Sequence, residues 1–382
     1  MTRATGNNQI GNRVEYLGFD HVHFWVGNSF QAAAYYISRF GFEPYAYRGL
    51  ETGSRKVMTQ VVRQNNIVFA FSSPLEPGNT EFHRHLMRHG DGVKDVAFRV
   101  TDCFTLFENA VRAGAVAIKP PKVEETAEGI CITATIQAFD SDTWHTFVER
   151  TKYRGPFLPG FKRFEESDPQ VNLTRPPELQ FIDHCVFNQP EGCMEKVVNW
   201  YVNTLGFHRF WSVDDKQIHT EYSSLRSVVV SDFHERVKIP VNEPAEGRRK
   251  SQIQEFVEYY DGPGIQHIAL NTSDIATSVA TLRQRGVSFI RVPVTYYEEK
   301  KQLLGLSTTS IREALDDLQS KGILLDFDDV GYLLQIFTKP LQDRPTFFIE
   351  IIQRNLHSGF GVGNFKSLFQ AIEQEQALRG NL

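Results

Sequence analysis

The chain has 382 residues, enough for two or three domains and a large buried core. Its formal charge of −5 and pI near 6.2 leave no basic surplus for nucleic acid or an anionic membrane surface. No apolar run reaches the roughly 20 residues of a membrane span. Residues 1–18 lack the apolar core of a signal peptide, and Cys103, Cys131, Cys185 and Cys193 form no CxxC pair. Such cysteine usage suits a reducing compartment, so a cytoplasmic protein is expected.

Residues 1–16 are polar, with Gly and Asn, and are expected to be a flexible N-terminus. The run LGFDHVHFWV (17–26) reads as a strand, 29–40 as a helix stopped by Gly41, and 56–63 and 66–72 as strands. EFHRHLMRHG reads as a short polar helix whose His83, His85 and His89 face solvent. GVKDVAFRV is a strand, CFTLFENAVRAG a helix, and 130–138 and 143–149 are strands. Residues 153–178 are rich in Gly, Pro and charge and mark a linker between domains at 17–152 and 179–382. The same order restarts at 179. Two segments break it: a charged, Pro-containing excursion at 234–262 and a polar helical one at 294–320. The C-terminal FKSLFQAIEQEQ is helical, with Phe365, Leu368, Phe369 and Ile372 on one face and Gln370, Glu373 and Gln374 on the other. It follows three glycines (359, 361 and 363) suited to a hinge, which predicts a lid helix at about 363–378.

Internal repetition organises the whole chain. Phe19-Asp20-His21-Val22 answers Ile182-Asp183-His184-Cys185. GVKDVAF (92–98) answers GIQHIAL (264–270), and Thr146-Phe147-Val148-Glu149 answers Phe347-Phe348-Ile349-Glu350. Four βαβββ units in tandem predict an α+β fold of two half-barrel domains, curled around cavities lined by inward-facing residues. The second half then offers His184, His267 and Glu350 at equivalent, evenly spaced places, and the first half His21, Asp95 and Glu149. A single histidine in an apolar strand is ordinarily a core residue. A Glu within FFIEII is different, because a buried carboxylate without a partner costs several kcal/mol. Two imidazoles and one carboxylate leave one face of a metal open, as in non-haem Fe(II) oxygenases; zinc competes on ligand type alone. In the first half Asp95 replaces the middle imidazole beside Lys94, so that set is expected to be a relict without iron.

At these residues the chain resembles the 4-hydroxyphenylpyruvate dioxygenase family, animal type, of the vicinal-oxygen-chelate (glyoxalase-type) superfamily. The resemblance runs over about residues 17–380, through FWVGN (24–28), YRGLETGSR (47–55), GDGVKD (90–95), FHRFWSVDD (207–215), TEYSSLRS (220–227), NEPAEGRRKSQIQEF (242–256), QHIAL (266–270), GYLLQIFTKPLQDRPTFFIEIIQR (331–354) and GFGVGNFKSLF (359–369). It implies one Fe(2+) per chain, held by His184, His267 and Glu350 of the C-terminal domain. It implies a polar network of Ser227, Asn242, Gln252 and Gln266, with Gln335 near a 2-oxo acid. Phe337 and Phe360 would sandwich an aromatic ring, and Asn364 and Phe365 would stand at the base of the lid. The implied reaction joins 4-hydroxyphenylpyruvate and O2 to give homogentisate and CO2 in tyrosine catabolism, in a homodimer. The alternatives are a 4-hydroxymandelate synthase, which oxidises the benzylic carbon, and an inactive homologue with a binding or regulatory role.

Overall fold

The computed structural model describes residues 14–165, 169, 175–213, 224–307 and 309–381. Most of the expected flexible N-terminus, and parts of the linker and of the 207–227 motifs, lie outside the described residues. The first half comprises β1 (Tyr16–Trp25), α1 (Ser29–Phe40), β2 (Glu43–Arg48), β3 (Val57–Gln64), β4 (Ile67–Pro74), α2 (Thr80–His89), β5 (Gly92–Val100), α3 (Cys103–Arg112), β6 (Ala117–Thr126), β7 (Gly129–Gln137) and β8 (Trp144–Tyr153), followed by the short β9 (Lys162–Arg163). The second comprises β10 (Leu179–Asn188), α4 (Met194–Leu205), β11 (His208–Val213), β12 (Ser224–Ser231), β13 (Lys238–Ala245), α5 (Gln252–Tyr260), β14 (Gly264–Thr272), α6 (Ile275–Gln284), α7 (Val294–Leu304), α8 (Leu315–Lys321), β15 (Leu324–Phe327), β16 (Tyr332–Phe337), β17 (Phe348–Asn355) and α9 (Val362–Leu378).

Among the described residues the strands form two sheets, ordered β6-β7-β8-β5-β1-β4-β3-β2-β9 and β15-β16-β17-β14-β10-β13-β12-β11. They match strand for strand, β9 being the one addition. In each, the first strand of the half runs antiparallel to the first strand of its second unit and parallel to the last strand of its own: β1 to β5 and β4, β10 to β14 and β13. The first helix of each half ends by the same device. Gly41 (φ 70°) and Gly206 (φ 69°) enter the left-handed region that glycine tolerates, and each turns the chain into a buried Phe, Phe42 or Phe207. One continuous apolar core spans both halves, with Phe24, Phe69, Phe71, Phe98 and Phe147 meeting Phe187, Tyr201 and Phe347. His145 of β8 lies 2.7 Å from the Tyr201 hydroxyl of α4, and Arg285 donates to the carbonyls of Ile37 and Ser38.

Three expectations need correction. Residues 234–262 are no excursion: they carry β13 and α5, the counterparts of β4 and α2. Pro240 and Pro244 masked the strand. They sit opposite Val229 and Leu225, at positions whose missing N–H the sheet tolerates. Strand β6 was missed for the same reason, since Pro120 and Pro121 lie within it; it can hold them because it forms the sheet's edge. The histidines of α2 do not all face water. His83 is exposed, but Phe82, His85 and His89 follow i, i+3, i+7 spacing and are buried. The His85 ring meets Trp25 edge-on, and His89 bonds the Tyr260 carbonyl and Asp142.

Candidate metal centre and its cavity

His184 of β10, His267 of β14 and Glu350 of β17 stand on three adjacent strands. Antiparallel pairing sets His184 opposite Ala269, and parallel pairing sets Ala269 beside Glu350, so all three point into the curl of the second sheet. Their donor atoms lie within 4.8 Å of one another, the one such cluster of three or more His, Cys, Asp or Glu among the described residues. Glu350 Oε2 is 3.3 Å from His184 Nε2 and 3.4 Å from His267 Nε2. Ligand atoms about 2.1 Å from one ion stand about 3.0 to 3.4 Å apart at ordinary coordination angles, so the donor set fits a single cation.

The outward ring nitrogens are held as well. His184 Nδ1 lies 2.7 Å from Asp183 Oδ1, and His267 Nδ1 lies 3.0 Å from Gln266 Oε1. Both partners are acceptors, so each Nδ1 carries the proton and each Nε2 lone pair is free for a metal. Neighbours in a strand normally face opposite ways. A bulge between Ile182 and His184 lets the Asp183 carboxylate bend back to the adjacent ring. Arg354 closes on Asp183 with two bonds of 2.8 Å.

The electrostatics follow from burial and pairing. Burial alone would raise the Glu350 carboxyl, but the two imidazoles outweigh it and bring it down to about 2. Burial pushes the His184 imidazole down, yet Asp183 and Glu350 on either side carry it above its ordinary value. His267 has one carboxylate and one neutral amide, so burial prevails and its pKa falls.

A cavity of about 60 Å³ opens onto this centre. Ser227, Asn242, Gln252, Gln266, Gln335, Phe337, Phe360 and Phe365 all line it. Asn364 stands one layer back: its side-chain amide donates to Gln335 Oε1 at 2.9 Å, and Gln335 Nε2 donates to Glu350 Oε1 at 3.1 Å. Phe360 meets the His184 ring edge-on at 5.1 Å, and Phe337 the His267 ring at 6.0 Å. The sequence reading missed Trp211, Leu225 and Phe348 in the wall, and Tyr296, whose hydroxyl lies 2.7 Å from Asn364 Oδ1. Phe348, two residues before Glu350 on one strand face, was findable by period-two alternation. Helix α9 covers the cavity with Phe365, Leu368 and Phe369. Gln370 and Gln374 are exposed as expected, but Glu373 is buried.

The first half lacks the equivalent set, and its third member differs from the sequence reading. Asp95 pairs with Trp144 as His267 pairs with Phe348, so the counterpart of Glu350 is Thr146 and not Glu149. The sequence match had slipped by three residues. Glu149 instead accepts the Cys103 N–H at 2.9 Å. Thr146 donates both its N–H and its hydroxyl to Asp95, whose carboxyl burial pushes up.

Residues 181–336 match the family model of the Glyoxalase/Bleomycin resistance protein/Dioxygenase superfamily. A protein of Dictyostelium discoideum named 4-hydroxyphenylpyruvate dioxygenase is 58% identical, over 96% of this chain and 100% of its own. One of the same name from Xenopus tropicalis is 54% identical over 100% of this chain and 97% of its own. Among solved structures, a variant of 4-hydroxymandelate synthase from Streptomyces coelicolor aligns with a TM-score of 0.81 at 30% identity, covering 94% of this chain and 98% of that one. The fold is thus of the glyoxalase type, and the much lower identity to the synthase does not favour that alternative. The chain belongs to the 4-hydroxyphenylpyruvate dioxygenase family.

Proposed function

We propose that His184, His267 and Glu350 hold one Fe(II) per chain, and that the cavity receives 4-hydroxyphenylpyruvate and O2 and yields homogentisate and CO2. The observation that carries this is the buried triad, with its outward nitrogens fixed, at the end of a cavity walled by Phe337 and Phe360. Bound iron would supply the activation of O2 and a chelation site for a 2-oxo acid. The chain supplies the rest. Gln335, fixed by Asn364 and Glu350, presents its amide beside the oxo-acid end. Phe337 and Phe360 take the ring between them, so the ring carbon bearing the side chain is held for hydroxylation while the side chain migrates. Ser227, Asn242, Gln252 and Gln266 offer hydrogen bonds along the wall. The apolar face of α9 keeps water out while the substrate is oxidised. The apolar face that α9 lays over the cavity, with Phe365, Leu368 and Phe369, supports α9 as a lid.

The same reading takes residues 17–152 as a domain without iron, 153–178 as a linker and 179–382 as the catalytic domain, in a cytoplasmic homodimer. Sedimentation of the purified protein checks the dimer. Product analysis checks the activity: protein supplied with Fe(II), ascorbate, O2 and 4-hydroxyphenylpyruvate forms homogentisate and releases CO2. 4-Hydroxymandelate as the main product would transfer the chain to the alternative.

A further inference from the structure

Arg354 makes more bonds than its ion pair requires. Its guanidinium holds both oxygens of Asp183, whose Oδ1 in turn holds the His184 ring. Its Nη1 also donates to the carbonyl of Gly359 at 2.5 Å and to that of His357 at 3.3 Å. The same group lies 5.2 Å from the Phe360 ring, which forms a wall of the cavity. So one planar side chain touches the carboxylate behind a metal-ligand candidate, two backbone acceptors ahead of α9, and an aromatic ring of the cavity.

The chain between β17 and α9 is built to turn. Leu356 adopts φ 59°, a left-handed conformation costly for leucine, with its side chain 85% exposed. Gly361 follows at φ 79°. His357 Nδ1 accepts the Gly359 N–H at 3.1 Å. This short arch is tied by a bridge between Leu356 and Tyr332, by His357 Nε2 3.6 Å from Asp328 Oδ2, and by the Arg354 bonds.

The first half provides an internal comparison. Asp20 holds the His21 ring at 2.8 Å, and Arg150, which occupies the place of Arg354, donates to Asp20 at 2.8 Å. After Arg150 the chain continues in β8 to Tyr153 and then turns back, without a covering helix, so that Phe157 meets the His21 ring edge-on at 4.8 Å and lies 5.7 Å from the Arg150 guanidinium; Arg150 Nε finds no hydrogen-bond partner among the described residues. The Asp–His–Arg unit is therefore common to both halves. The backbone bonds to the arch belong to the half that carries the metal centre.

We infer that Arg354 is a positioning residue that couples the arch before α9 to the orientation of His184, so that metal binding and seating of the helix favour each other. The inference rests on the reading of α9 as a lid. A guanidinium suits this because its rigid fork serves a carboxylate on one edge while a further N–H reaches a carbonyl. Coupling of this kind is reciprocal: whatever orders the arch also orders His184.

The test is hydrogen exchange of the full-length protein, without metal and with saturating Co(II), under anaerobic conditions. In the wild type, Co(II) slows exchange across residues 357–378 by a factor of about 5 to 150, the ordinary range of coupling between sites. In Arg354→Gln, Co(II) still binds, about 10- to 100-fold more weakly. At saturation it no longer slows exchange in that segment. A merely structural arginine would instead raise exchange equally with and without metal and leave the Co(II) effect intact. Asp183→Asn gives a second reading if Arg354→Gln does not fold: it keeps the arginine and its carbonyl bonds, and also loses the Co(II) effect. Retention of the wild-type factor in either folded variant, or no Co(II) effect in the wild type, overturns the inference. Failure of the lid reading shows elsewhere, as unchanged product formed per O2 in a chain lacking residues 364–382. In that case a coupling seen by exchange stands, and only its use in closing the site falls.

Discussion

At the scale of single residues, the centre is defined by what lies behind its ligands. His184 stands between two carboxylates and His267 beside only one, so the two rings carry opposite shifts although both face Glu350. Three consequences follow for pH. A histidine with a raised pKa must release a proton before it can bind a metal. Metal affinity should therefore fall as pH drops through the raised His184 pKa, at a higher pH than for an ordinary imidazole, which a titration of Co(II) affinity against pH measures. Without metal, the depressed Glu350 carboxyl stabilises the fold at pH values above the ordinary carboxylate pKa. That stability is lost as pH falls toward about 2, visible as a declining Tm in acid. The raised His184 has the opposite sign: its share is present at low pH and fades as pH rises through its folded pKa. Phe337 sits edge-on to His267 and lines the cavity. Phe337→Val should leave metal content unchanged and divert part of the product toward benzylic oxidation or uncoupled O2 use. An unchanged product ratio would remove Phe337 from ring positioning. Among these residues the clustering of the triad was legible, because two histidines and a glutamate at equivalent places of apolar repeated strands demand a partner. Asp183 and Arg354 were not, since their roles depend on a bulge and on a strand pairing that no local pattern announces.

At the scale of elements, α9 combines secure anchoring with a glycine-rich start. Leu368, Ala371 and Ile372 pack against Tyr296, Tyr297, Phe337 and Phe348, and Arg379 pairs with Glu255 at 2.9 Å. Burial of each large apolar side chain contributes roughly 1.5–3 kcal/mol, so lifting the entire helix is costly and motion is cheapest near its glycine-rich start. Gly361 has φ 79°, and a Cβ there would stand 1.8 Å from Gln335 Oε1. Gly361→Ala should cost about 1–2 kcal/mol in backbone strain alone and displace Gln335 from Glu350, lowering kcat/KM about tenfold or more. A kinetic comparison with Gly363→Ala, whose glycine has an ordinary φ and whose new Cβ would meet Asp326 instead, separates the two glycines. Deleting residues 364–382 should lower Tm, because it uncovers apolar side chains. It should preserve the iron ligands and sharply reduce homogentisate formed per O2. Unchanged coupling would mean that the helix is fixed cover. The helix was legible from its apolar face and preceding glycines. Strands β6 and β13 were not, because prolines at an edge or at spare ladder positions look like loop signals in a linear reading.

At the scale of the whole molecule, one ancestral arrangement is used twice with different outcomes. Both halves retain the Asp–His pair on the first strand and the Arg that braces it. They diverge at two ligand positions: His267 and Glu350 in the second half, Asp95 and Thr146 in the first. In the first half those two side chains satisfy each other, while in the second the imidazoles and the carboxylate converge on one point. The duplication is plain in the sequence, but the shared Phe-x-Glu pattern aligns Glu149 with Glu350, and only the strand register corrects it. The central claim is that one half of this chain is a metal centre and the other is not. Anaerobic Fe(II) titration of the wild type and of Glu350→Ala, with iron counted per chain, tests it most directly. The account predicts one iron per chain and turnover in the wild type, and loss of both in Glu350→Ala. Two irons per wild-type chain, or a Glu350→Ala protein with full iron content and activity, would contradict it.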